Sequence, residues 1–235
     1  MPYNTFTPAL TCSTGVRDLA LVFTHRSDLW LGRIAIGTIL ATSLGVAGAY
    51  YYGPPEYTRV GYQPTQPVAF SHQQHVGQLK MDCRYCHTHV EESPHSNVPT
   101  TQTCMQCHSL VAAQSPKLAA VRESWQTGDP IDWLRIHKVP EYVYYNHAVH
   151  VRRGVGCTNC HGKLNEMPVV YEDKPLSMGW CLNCHRNSEK YLMPADQVLN
   201  PDYVPKDDRK QVELGEAIKA HSGIKVQQTC GTCHR

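Results

Sequence analysis

Ten of the eleven cysteines in this 235-residue chain fall into five Cys-x-x-Cys pairs, and a histidine follows each pair directly. The motifs are Cys83-x-x-Cys86-His87, Cys104-x-x-Cys107-His108, Cys157-x-x-Cys160-His161, Cys181-x-x-Cys184-His185 and Cys230-x-x-Cys233-His234. That spacing is the attachment signature of haem c. The two thiols reach the two vinyl groups on one edge of a porphyrin as thioethers, and the adjoining imidazole becomes the proximal ligand of the iron. Five motifs therefore predict five covalent haems, with His87, His108, His161, His185 and His234 as proximal ligands. Zinc ribbons, redox dithiols and local disulfides also use paired cysteines, but none of them calls for histidine after every pair.

A haem iron held only by its proximal histidine is open to substrate, whereas a second protein ligand closes it and leaves it to carry electrons. The stretches "FSHQQH" at 70–75 and "YNHAVH" at 145–150 each offer two histidines three apart, His72 with His75 and His147 with His150. Spacing of i, i+3 puts each pair on one face of a helical turn. Two imidazoles on so short a segment cannot comfortably serve one iron from the same side, so each pair is expected to serve two neighbouring haems as distal ligands. The fifth distal ligand has two candidates: His137, in "IHKVPEYVYYNH", and Met178, in "LSMGWCLNCH". Thioether ligation would raise the potential of the haem that received it. With every iron closed, the chain is expected to conduct electrons rather than to be an enzyme on its own, and no catalytic residue is assigned.

The elements that must position these groups form an internal repeat. Residues 69–143 read as a first dihaem unit plus a connecting helix, 144–190 as a second dihaem unit, and 191–235 as a C-terminal segment carrying the fifth haem. Residues 116–139 look partly helical until "GDP" breaks them, and 207–220 look like a helix ending near Gly223. No alternating apolar run is long enough for a sheet. The fold class is thus mostly α and irregular, a multihaem cytochrome c with class III-like dihaem repeats. The chain has only three phenylalanines, so porphyrin must supply much of the apolar interior. Without haem, too little buried apolar surface would remain to offset the ordering entropy of the chain.

Upstream, residues 34–52 carry no charge for nineteen positions, a helical length of about 28 Å that matches the hydrocarbon layer of a bilayer. Arg17, Arg26 and Arg33 precede this segment and only Arg59 follows it closely, so the positive-inside bias puts residues 1–33 in the cytoplasm. A single-pass anchor in the inner membrane with a periplasmic haem domain is the expectation, and haem c is attached on that side. The "AGA" at 47–49 resembles a signal-peptide cleavage site, but a retained signal anchor is favoured. Residues 53–68 hold four prolines and read as an extended linker. A net charge of +2 settles nothing about partners, and no nucleic-acid role is expected.

The runs "GYQPTQPVAFSHQQH", "CRYCHTHVEESPHSNVPTTQTCMQCH", "VPEYVYYNHAVHVRRGVGCTNCHG", "LSMGWCLNCHRN" and "CGTCHR" resemble the membrane-anchored pentahaem cytochrome c subunit of bacterial alternative complex III. The resemblance is dense over residues 57–235 and does not extend to the first 33. The order FxHxxH…CxxCH also resembles the small class III multihaem cytochromes. The resemblance implies a quinol-oxidising complex, respiratory or photosynthetic, whose quinol site lies in polytopic membrane subunits beside an iron-sulfur subunit. The pentahaem subunit would pass electrons towards a monohaem cytochrome c or a soluble acceptor. The family's distal ligands carry over to His72, His75, His147 and His150, and leave His137 and Met178 unassigned. A free-standing membrane-anchored quinol dehydrogenase, with quinol bound beside an open haem, is the alternative function. A multihaem reductase is disfavoured, because the C-x-x-C-K motif such enzymes often use does not occur.

Overall fold

The computed structural model describes residues 25–205 and 207–234, so Cys12 and Arg17 of the expected cytoplasmic segment lie outside the described residues. The chain separates into two units, residues 1–51 and 52–235.

In the first unit, helix α1 runs over His25–Tyr52. It starts nine residues before the uncharged stretch and ends where Gly53, Pro54 and Pro55 remove the donors and dihedral freedom that a further turn would need. The portion Leu29–Tyr52 has a mean hydropathy of 1.5 and the length to cross a membrane.

In the second unit a short turn α2, Pro55–Thr58, leads to a π-helical turn at Gln73–Gln78 that His72 caps. Each Cys-x-x-Cys motif then forms or ends a helix: α3 Cys83–Cys86, α4 Thr101–His108, α7 Cys157–His161, α8 Met178–Arg186 and α10 Cys230–Cys233. Between them lie α5 Ala119–Thr127, α6 His147–Arg152 and α9 Asp208–His221. Short polar residues start several of these helices by accepting an otherwise orphaned N–H. Asp82 accepts from Arg84, Asn146 from Val149, Ser177 from Trp180 and Asp207 from Lys210. Helix α5 stops at Gly128, whose φ of 82° is the left-handed conformation that glycine adopts without cost. That is the "GDP" break read from the sequence, and α9 likewise ends just short of Gly223.

Among the described residues there is no strand, only isolated bridges between Val143 and His234 and between Val155 and Leu192. The apolar core is small. Its main cluster is Val90, Val151, Met193 and Val198, with Leu199 and Tyr203 packed against it. So meagre a cluster accords with the expectation that macrocycles complete the interior. Polar side chains do much of the remaining fastening: Thr101 on α4 bonds Ser124 on α5 at 2.6 Å, and Lys219 on α9 pairs with Glu189 at 3.0 Å.

Candidate haem-binding centres

The repeat recurs in three dimensions down to single rings. Phe70 stacks on His75, with centroids 4.4 Å apart, and meets His72 edge-on at 4.9 Å. Tyr145 stacks on His150 at 4.5 Å and meets His147 edge-on at 4.7 Å. An aromatic residue two positions before the first histidine thus wedges each pair apart and fixes both ring planes. In both units the Nδ1 of the second histidine faces the carbonyl four residues back, Ser71 for His75 at 2.8 Å and Asn146 for His150 at 2.7 Å.

Four other candidate ligands make the same kind of contact. His87 Nδ1 faces the Asn97 carbonyl at 2.7 Å, His108 that of Val111 at 2.9 Å, His147 that of Pro94 at 2.8 Å and His185 that of Gln227 at 2.7 Å. A carbonyl can only accept, so in each of the six rings Nδ1 carries the proton and Nε2 keeps its lone pair. Metal-ligating histidines are held in this way, with the second nitrogen donating to a backbone oxygen.

Ring separations supply the fit test. Two imidazoles on one metal through Nε2, each at about 2 Å from it, have centroids roughly 6 Å apart. His75 and His108 lie at 6.1 Å, His150 and His185 at 6.1 Å, and His147 and His161 at 6.4 Å. The first two pairs occupy equivalent places in the repeat. These residues fit a low-spin haem iron between each pair. Among the described residues no three His, Cys, Asp or Glu side chains gather tightly enough to hold a bare metal ion, as a zinc site would require.

Burial keeps the central imidazoles neutral. It lowers His72 and His137 to about 4 and His161 to about 3, with neighbouring histidines adding to the effect. His147 and His150 are lowered for the same first reason, burial. A neutral imidazole is the form that binds metal. Two ring nitrogens in this region, His72 Nδ1 and His137 Nε2, are buried without a partner.

The expected residues come together unevenly. His137 lies against His161 at 4.2 Å with the rings perpendicular. Met178 stands at the first turn of α8, 67% exposed. The ring beside His234 is that of Tyr142, at 5.7 Å. The wedging role of Phe70 and Tyr145 was not read from the sequence, although their matching offsets were its signal.

Residues 143–235, which contain the second HxxH pair and the last three motifs, match the family of cytochrome c7 and related cytochromes c. The described residues after α1 are mostly helical and irregular, and the match to cytochromes c falls on their C-terminal part, residues 143–235. The chain is similar to the multihaem cytochrome c subunit of menaquinone reductase from Nitratidesulfovibrio vulgaris, 29% identical over 177 residues, covering 66% of this chain and 84% of that protein. It is also similar to cytochrome c-552 of Aliarcobacter butzleri, 27% identical over 158 residues, covering 59% of this chain and 30% of that protein.

Proposed function

We propose that this chain is the pentahaem relay subunit of a membrane complex that exchanges electrons with the quinone pool. The observation that carries the reading is the set of imidazole pairs at 6.1–6.4 Å, with Nδ1 tied to a main-chain carbonyl in five of the six rings. Closed irons of this kind carry electrons and bind no substrate. The haems supply one-electron chemistry when attached. The chain's own residues space the irons, fix their ligands and exclude water.

His75 with His108 and His150 with His185 are the axial pairs of the second and fourth motifs. The centre at His161 draws on His147, and the centre at His87 on His72. His137 packs against the His161 ring at 4.2 Å, too close for the two to share an iron, so the fifth centre at His234 draws on Met178. Cys181, one turn from Met178, neighbours Cys233 of the fifth motif.

The motifs are bonded in an order that differs from the sequence. Tyr85 in the first donates to Gln106 in the second at 2.5 Å. Cys83 and Cys157 are neighbours, which brings the first motif against the third. Helix α6 offers His147 to the third and His150 to the fourth, and Gln227 and Gln228 both bond His185, joining the fourth to the fifth. Electrons therefore run second, first, third, fourth, fifth, and the two ends are the places for donor and acceptor.

The relative's name supports quinone as the substrate of the complex. The resemblance to alternative complex III supports quinol oxidation as the direction, with polytopic, iron-sulfur and monohaem subunits as partners. Helix α1 serves as the single-pass inner-membrane anchor, with the haem domain in the periplasm. Purification in mild detergent tests the reading. Five low-spin haems per chain and co-purifying polytopic membrane subunits are expected. Isolation of the chain alone, with an open high-spin haem and quinol turnover, would replace it with the free-standing quinol dehydrogenase.

A further inference from the structure

Glu172 is fully buried and its Oε1 has no hydrogen-bond partner. Its Oε2 meets Arg59 Nη2 at 2.6 Å, and the same nitrogen donates to the Ile136 carbonyl at 2.7 Å. The main chain adds a bracket: Gly61 N–H donates to the Glu172 carbonyl at 2.7 Å, and Glu172 N–H donates to the Tyr62 carbonyl at 3.1 Å. The Arg59 guanidinium also covers the Tyr62 ring at 4.6 Å. A buried carboxylate is costly and is kept only when it is paired.

The location of this pair gives it a use. Ile136 precedes His137, whose ring is 4.2 Å from His161. Arg59's charge reaches His137, where it follows burial among the causes that lower that imidazole. Asp173, next in sequence to Glu172, lies so close to Gly162 that a Cβ there would meet its Cγ at 2.6 Å. Asp173 is itself paired with Lys174 at 3.0 Å, which leaves the half-buried Arg59 and the fully buried Glu172 as the pair whose balance the site controls.

We infer that Arg59 and Glu172 are a positioning clamp that holds residues 59–62 beside His137 at the His161 centre and sets the redox potential of the haem there. The inference rests on the haem reading above. A ferric haem carries one more positive charge than a ferrous one, so an unbalanced cation nearby favours the ferrous state and raises the potential. An unbalanced anion does the opposite. At a half-buried position such as that of Arg59 water screens the charge only in part.

The test is a spectroscopically monitored redox titration of the full chain in detergent, with variants E172Q, R59M and R59K. E172Q strands Arg59's charge and is expected to shift one haem's redox equilibrium upward about tenfold, equivalent to 59 mV for one electron. R59M removes the cation beside Glu172 and is expected to shift the same haem in the opposite direction, downward. R59K keeps the charge and should stay near the unaltered protein. Shifts of the same sign in E172Q and R59M, a shift spread over all the haems, or no shift would overturn the clamp. Should E172Q fail to fold, the contrast between R59K and R59M decides alone: equal potentials overturn the inference. Haem content and spin state of the unaltered protein test the haem reading separately, since neither depends on this pair.

Discussion

A main-chain carbonyl behind each of six imidazoles fixes which nitrogen can bind iron. His75 and His150 are the cleanest cases, because each is also clamped by an aromatic ring and faces one proximal histidine. Replacing either by alanine should leave haem content unchanged, since the thioethers remain, and convert one haem to high spin. Optical and EPR spectra check this, and unchanged low-spin spectra in both variants would remove the axial assignment. Met178 and His137 separate in the same experiment. Met178→Ala should lower the potential of one haem, because a thioether ligand raises it. His137→Ala should perturb a different haem, the one on His161. If both variants altered the same haem, the assignment of Met178 to the fifth centre would be wrong.

The elements show which part of this architecture a sequence can announce. The Cys-x-x-Cys-His and HxxH spacings stand in the sequence itself, because thioether attachment and axial ligation would each ask for particular residue types. The Ser, Asp and Asn residues that open helices and the Gly residues that end them act locally, and α5 and α9 fall where such residues predict. The acceptors behind the imidazoles were not legible, because every residue has a carbonyl and side-chain identity says nothing about its use. The 53–68 segment, read as an extended linker, bonds across the fold through side chains at long sequence separation. Gln63 donates to the Val169 carbonyl at 3.0 Å, and Gln66 donates to the Leu134 carbonyl at 2.8 Å. The seating of α9 is of the same kind. A Cβ at Gly215 would strike the Glu189 main chain, which cannot move aside as a flexible side chain would. Gly215→Ala should therefore destabilise the domain by about 1–3 kcal/mol, as overpacking does elsewhere. Thermal denaturation followed by circular dichroism measures it. An unchanged midpoint would show that α9 is not pressed against residues 188–190.

At the scale of the whole molecule, the question is what a chain of closed irons can do without its partners. One helix cannot wall a quinol pocket as a bundle can, and among the described residues α1 is the one helix long and apolar enough to cross a membrane. If every iron has two axial ligands, substrate can reach a haem only by displacing one of them. The isolated subunit should therefore be reduced promptly by dithionite and only sluggishly by a quinol analogue. In its complex, quinol should reduce the haems fast, and an inhibitor of the polytopic subunits should stop that. Stopped-flow reduction of both preparations gives the comparison. A menaquinone-reducing complex of the kind the N. vulgaris relative belongs to would show the opposite preference, with pre-reduced haems oxidised quickly by menaquinone and refilled slowly by menaquinol. Fast, saturable, inhibitor-sensitive reduction of the purified subunit by quinol would end the relay reading, because it requires a site that closed irons and the one membrane-length helix among the described residues would not provide.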